Sequence, residues 1–469
     1  MSHSHSHTGP TSEQEAKRHR KALRIMVVVL IPLAVWTVAG LIAFWPGDVS
    51  SHIRKDLSLY SVPGVTYPTA KITTVTQTSC EGLAGSTPGV DDQTCATVAA
   101  QLTEGPEKGQ TVEVPLNNAI FSSGTKVGQD IKLLRLPVEG QPANYQFADF
   151  ERRTPLVALT LLFAVAVVAV ARWRGLASLL GLGFAGFILV KFMFPALVAG
   201  SNPVLIGLLG SAAIMFVVLY AAHGFSARTT TALMGTLFGL ILSAALGWGA
   251  TKWAHLTGAA SEDDLVLSAT APDLALTSVV ICGIIVAGLG VLNDVTITQA
   301  SAVWELADSD PDQKKLFSRA MRIGRDHIAS TVYTIAFATA GAVLPVLLLI
   351  VIYDRPLFEV IQTEMFAGEV VRTVVGSIGL VLAVPLTTAI GVAVVRASRG
   401  KAGEPALAHS GSPHAGPGDG PGAGPTSAAA ERERRLRRKR RDDFDDFDDF
   451  SDLRDPDDRT TSRKDRLGQ

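Results

Sequence analysis

The chain has 469 residues, 47% of them hydrophobic, with a mean hydropathy of +0.29 and a formal net charge of −1. Apolar runs alternate with polar segments, and runs of ~20 apolar residues are long enough to cross a bilayer as helices. This excludes an ordinary soluble globular protein and predicts a multi-pass membrane α-helical bundle; the charges are segregated, and no nucleic-acid partner is expected.

Residues 1–24 form a basic N-terminus, predicted to be disordered and cytoplasmic, in which His3, His5 and His7 alternate with serines. Alternating histidines suit metal, but three on a polar terminus define no site, and no metal is expected. Lys17, Arg18, Arg20, Lys21 and Arg24 precede an apolar run at 25–45. That run is longer than a signal-peptide core and lacks a small-residue cleavage site, so it reads as an uncleaved anchor with its N-terminus inside.

Residues 46–153 then lie outside the cell membrane. Lys71–Val75, Thr111–Leu116 and Ile131–Leu136 are short, β-branched or apolar, and bounded by Gly, Pro or Asp, which predicts strands. Gly124–Asp130 supplies turn residues between two of them. A small all-β barrel or sandwich fits, acting as a binding or docking module. Cys80 and Cys95 share this segment and are candidates for a disulfide if it faces an oxidising compartment; a reduced pair would read the same.

Seven spans follow in a bundle at 154–397: Leu156–Ala171, Leu176–Phe194, Pro203–Ala222, Thr230–Ala250, Leu274–Leu292, Ile328–Ile352 and Val370–Val395. With the anchor they make about eight. Arg172, Arg174, Arg228, Lys314, Lys315, Arg319, Arg396, Arg399 and Lys401 then all fall on the cytoplasmic side, whereas seven or nine spans would break the alternation. Glycines in these spans permit close helix approach. Residues 398–469 read as a disordered cytoplasmic tail. The tail carries a basic run, Arg432–Arg441, suited to anionic lipid, and the repeat Asp442–Phe450, which offers phenylalanines to a protein partner.

Ionisable or polar groups inside a membrane are functional hypotheses by default. Lys191 lies near a span end and can snorkel; His223 follows a span, and Asp273 starts one. The densest stretch is Gly290–Leu306, which crowds Asn293, Asp294, Thr296, Thr298 and Gln299 into seven positions. In one reading Asn293 and Asp294 end a helix, and Thr296 caps a new one with Gln299 completing a capping box. In the other, Gly288 and Gly290 break the helix and the polar side chains line an ion or solute site. Arg322, Arg325, Asp326 and His327 lead into the next span and are expected near Asp294, the equipment of a proton- or ion-linked gate. Pro345 and Pro385, the latter followed by Thr387 and Thr388, mark predicted kinks.

Gly290-Val291-Leu292-Asn293-Asp294-Val295-Thr296-Ile297-Thr298-Gln299-Ala300-Ser301, with Trp304-Glu305-Leu306, resembles the YibE/F family of bacterial membrane proteins. Ala320–Thr331 and Gly341-Ala342-Val343-Leu344-Pro345 reinforce the likeness, and the layout extends it over residues 25–397. The resemblance implies a multi-pass plasma-membrane protein and supplies no substrate or reaction. No P-loop, HExxH or GxSxG pattern occurs in a credible context, so neither an enzyme nor a cofactor is expected. The expected function is a permease- or channel-like protein for an unknown ion or small solute, gated at the cytoplasmic end of its sixth and seventh helices. The alternative is a non-transporting scaffold that docks partners through its outer domain and tail. A homo-oligomer is compatible with either.

Overall fold

The computed structural model describes residues 13–54, 64–80, 94–138, 140–309, 313–353 and 356–399. The alternating histidines, Asp310-Pro311, which the sequence marks as a helix start, and the tail beyond Arg399, with its basic run and acidic repeat, lie outside the described residues. Helix α1 spans Glu13–Ala43, so helical backbone begins twelve residues ahead of the apolar run expected at 25–45. The polar lead is rich in Glu, Gln, Ala, Lys and Arg, good helix formers that extend the apolar helix without a break.

The β domain is one five-stranded antiparallel sheet. Its strands are β1 (Thr69–Ser79), β2 (Thr94–Leu102), β3 (Thr111–Leu116), β4 (Asp130–Val138) and β5 (Gln141–Phe150). Their order is β3-β2-β1-β4-β5, with β3 and β5 also approaching each other, which closes the sheet into a barrel. The short helix α2 (Asn118–Ser122) sits between β3 and β4, started by Asn117, whose Oδ1 accepts the Ile120 N–H at 3.0 Å. Strand order and helix position are those of an OB-type barrel. Residues facing inward alternate with exposed ones, as the two-residue period of a strand requires. Ala70, Ile72, Val98, Leu102, Val114, Leu116, Ile131 and Leu133 form the core.

Two devices hold the barrel's ends. A disulfide joins Cys80 to Cys95, Cα atoms 5.0 Å apart, across the β1–β2 connection. At the β2–β3 turn Glu107 takes a two-pronged bond from Arg135 on β4 (Nε to Oε2 2.9 Å) and a third from the Tyr145 hydroxyl on β5 at 2.7 Å. These bonds hold the Glu107 carboxyl well below its usual range, at about 2, with the Arg135 hydrogen bond the largest cause. The same carboxylate raises the Arg135 pKa, while burial and then Glu107 raise that of Tyr145.

The rest of the described chain is helical and membrane-embedded in character. Five helical runs are long and apolar enough to cross a bilayer, or six when a bent pair counts as one span. The first run holds α3 (Arg153–Ile188), a π turn at Leu189–Met193 and α4 (Phe194–Val198). It is not a single rod. Arg172 has φ 53° and ψ −130°, and a Cβ built on Gly175 would lie 2.5 Å from the Val167 carbonyl oxygen, eight residues back. Eight residues of straight helix span about 12 Å, so the axis bends sharply where the sequence predicts a basic loop. The half before Arg172 has no buried residue; the half after it packs on α5 (Pro203–His223), where Gly181 meets Val218.

Helix α6 (Ala227–Trp253) starts on Ser226, whose Oγ accepts the Thr229 N–H. Helix α7 (Glu262–Thr270) starts on a capping box made by Ser261 and Asp264. Helix α8 (Leu276–Ser309) follows, then α9 (Leu316–Ala342) and α10 (Leu344–Ile352), which meet at a 67° bend with Pro345 in the first turn of α10. Helices α11 (Leu357–Ile361) and α12 (Glu364–Arg399) end the described chain, and Pro385 sits inside α12 without ending it. Helices α6, α8 and α12 pack on one another at the centre, with α5, α9 and α1 around them. After α1, His52 Nδ1 pairs with Asp273 at 2.8 Å and the Arg54 N–H donates to Thr270, tying the segment after α1 to the connection between α7 and α8.

Candidate functional site

Helix α8 runs unbroken through the stretch that the sequence marked. Asn293 and Asp294 do not end a helix, Thr296 is not a cap, and neither Gly288 nor Gly290 breaks the backbone. Both readings of a helix end are corrected for one reason. Val295, Thr296, Gln299, Ala300 and Val303 are buried, and this stripe at helical spacing holds α8 against α6, α9 and α12. Packing continues the helix where local propensity would stop it.

The polar side chains therefore divide by face. Those facing inward form a seam. The Thr236 hydroxyl on α6 and the Thr296 hydroxyl lie 2.6 Å apart, each also within reach of a backbone carbonyl, Ala232 at 3.0 Å and Asn293 at 3.3 Å, so one of the two hydroxyls donates to the other. One turn further, Gln299 Nε2 donates to the Ala320 carbonyl of α9 at 3.0 Å and to Thr388 Oγ1 of α12 at 2.7 Å. Thr388 in turn donates to Val384, which fixes the orientation of the Gln299 amide. Four helices are thus joined through one glutamine and three threonines.

The seam is packed tightly and left partly unsatisfied. A Cβ on Gly235 would lie 2.0 Å from Thr387 Oγ1, and one on Gly379 would lie 2.1 Å from Ser243 Oγ. A Cβ on Gly324 would lie 2.9 Å from Gln299 Oε1. Gln299 Oε1, Asn293 Oδ1 and Ser243 Oγ are buried with no hydrogen-bond partner. Each such atom costs about 1–3 kcal/mol, and lipid offers no relief.

The charged candidates face outward. Asp294, Arg322, Arg325 and Asp326 are exposed, and Thr298 and His327 are half-buried. Thr298 Oγ1 donates to the Asp294 backbone carbonyl at 2.7 Å, and Thr331 does the same to His327. Among the described residues no side-chain hydrogen bond or ion pair joins Asp294, Arg322, Arg325, Asp326 and His327 to one another. Their depth is nevertheless similar. Gln299 lies level with Ala320 and Gly324, and five residues toward the start of α8, about 7.5 Å, brings Asp294 level with the residues just after Asp326.

Sequence reasoning missed Thr236 and Ser243, because isolated hydroxyls in an apolar run carry no distinctive spacing. It also missed Arg372, three residues inside a predicted span, which pairs with Glu369 one turn earlier and keeps its Nε buried without a partner. No group of three or more His, Cys, Asp or Glu side chains that could hold a metal occurs among the described residues.

A family profile described as YibE/F-like protein matches residues 159–397, just over half of the chain. The chain belongs to the YibE/F-like family. The match covers the seam and every charged candidate, while α1 and the barrel precede it. No curated protein and no solved structure matches the chain.

Proposed function

We propose that this YibE/F-like protein is a permease- or channel-like protein of the plasma membrane, moving an ion or small solute, with its gate at the cytoplasmic end of α8 and α9. The observation that supports this reading is the buried seam of Thr236, Thr296, Gln299 and Thr388, with the unpaired oxygens of Asn293 and Gln299 beside it. A helix bundle in lipid holds polar atoms at its centre at a cost, and such atoms commonly line a path. In this reading the seam is the shut gate, and Asp294, Asp326 and His327 stand beside it at similar depth, with Arg322 and Arg325 as partners.

The reading has eight spans. The bend at Arg172 divides the first apolar run into two, the pair α9 and α10 counts as one, and α1 adds the eighth. Both termini and the basic connections are then cytoplasmic, and residues 46–153 are outside. It includes no catalysed reaction.

Flux into liposomes tests it. With the full chain reconstituted, Gln299→Ala should raise the leak of small ions above the parent's, and Asp294→Ala should alter its pH dependence. Absence of flux in parent and variants alike, with a membrane partner retained in pull-down, would favour the scaffold. That second reading draws on the half of α3 before Arg172, which has no buried residue among the described residues.

A further inference from the structure

At the opposite end of α8 from the seam, a cavity of about 600 Å³ opens between the start of α5, the end of α6 and the start of α8. Its size falls within the ~300–1,000 Å³ range of small-molecule sites. Its floor is closed, because Ile281 lines it and, one turn below, Ile285 fills the groove at Gly207, where a Cβ would lie 2.8 Å from the Ile285 side chain.

The polar lining is unusual in what it leaves unspent. A threonine inside a membrane helix ordinarily returns its hydroxyl to the carbonyl four residues back, as Thr230, Thr236, Thr298, Thr387 and Thr388 do here. Thr251 does not. It is 2% exposed, lines the cavity, and its Oγ1 has no partner. Thr277 and Ser278, in the first turn of α8, also turn to the cavity with hydroxyls that bond nothing among the described residues. Asn202 spends its Oδ1 on the amides of Val204 and Leu205, which leaves Nδ2 as a free donor.

The charge at this site has one sign. Lys252 and His255 stand at the rim, and Lys252 Nζ lies 4.1 Å from the Trp248 ring centroid. No carboxylate lines the cavity. The two nearby are engaged elsewhere: Glu364 accepts the amides of Thr257 and Gly258 at 2.7 Å each, and Asp273 pairs with His52. Most of the remaining wall is apolar, contributed by Trp248, Val204, Leu256 and Ile281. A bare inorganic anion would leave that wall uncovered, and a cation would meet Lys252.

We propose that this cavity binds a small organic carboxylate, its charged end at Lys252 among the hydroxyls of Thr251, Thr277 and Ser278, its apolar body against Trp248 and Ile281. The site stands whether or not the protein moves the bound molecule, so its test is binding and not flux. The probe is 4-fluorobenzoate, followed by fluorine NMR relaxation with the full chain in lipid nanodiscs, and with empty nanodiscs to remove partitioning. The expected result is saturable broadening displaced by benzoate, with no saturable response from 4-fluorobenzyl alcohol or 4-fluorobenzylamine. Loss of one charge-assisted contact in Lys252→Gln should weaken binding about tenfold, and the near-isosteric Thr251→Val and the pair Thr277→Val/Ser278→Ala should each weaken it about threefold or more. The proposal is overturned by absence of saturable binding, by an equal response to the alcohol or the amine, or by unaltered affinity in all three variants.

Discussion

In the barrel, Ile72, Val98, Leu102, Leu116, Ile131 and Leu133 meet without a polar side chain among them, and the ion pair and disulfide stand at the ends. In the bundle the arrangement is inverted: Thr236, Thr296, Gln299, Thr387 and Thr388 lie at the centre, and large apolar side chains such as Phe163, Phe337 and Leu348 point outward. The cause is the solvent. In water the removal of apolar area drives assembly and charges belong outside. In lipid that force is absent between helices, so close approach at glycine and hydrogen bonds between hydroxyls take over.

The comparison breaks most readily at the disulfide. A bridge across 15 residues of chain stabilises by about 3 kcal/mol through the unfolded state. Cys80→Ser should therefore strip hydrogen-exchange protection from β1 and β2 while α6, α8 and α12 keep theirs. Equal loss in both regions would mean that barrel and bundle unfold as one unit. Next in size is Gly235→Ala. Turning Thr387 about χ1 moves its Oγ1 but leaves its Cβ 3.0 Å from the new methyl, so α6 and α12 must separate. A cost of about 1–3 kcal/mol is expected, seen as a lower melting temperature in detergent, with part of it recovered in Gly235→Ala/Thr387→Ala.

A smaller effect separates the two regions by pH. The Glu107 carboxyl titrates at about 2 in the folded barrel against 4.5 ordinarily. Its contribution is complete above about pH 4.5 and fades as pH falls toward 2. Because the pair is partly exposed, Glu107→Gln should cost only about 1 kcal/mol at neutral pH, and its barrel should show a flatter acid profile than the parent's. The seam contains no ionisable group, so the packing of Gln299 and Thr388 should be insensitive across the same window.

What was legible in the sequence follows the same division. Three strands showed their β-branched alternation, but β2, Thr-Cys-Ala-Thr-Val-Ala-Ala-Gln-Leu, is alanine-rich, and β5 carries Pro, Asn and Asp; both are strands because neighbours pair with them. Apolar length and basic residues located the helical runs and the bend at Arg172. The cluster at Asn293–Gln299 was legible as a site of interest, and its geometry was not. Gln299 spaced three residues from Thr296 satisfies a capping box on paper, yet the same spacing places both on the buried face of a longer helix. Only the partners, Thr236 sixty residues earlier and Thr388 eighty-nine later, decide between the two.

The finest distinction lies within α8 itself. Asp294 and Gln299 are five residues apart, which puts them on opposite faces of the helix, at about 500° of rotation or 140° net. Gln299 is buried and holds two neighbouring helices, whereas Asp294 is exposed and its side chain bonds nothing among the described residues. Asp294→Asn keeps the shape and removes the charge, so its effect on melting should stay within about 0.5 kcal/mol. If Asp294 serves the gate, flux changes while stability does not. A variant that melts several degrees lower would instead place Asp294 in a load of packing, such as a contact between two copies of the chain, and would move the functional case onto Gln299 and the seam alone.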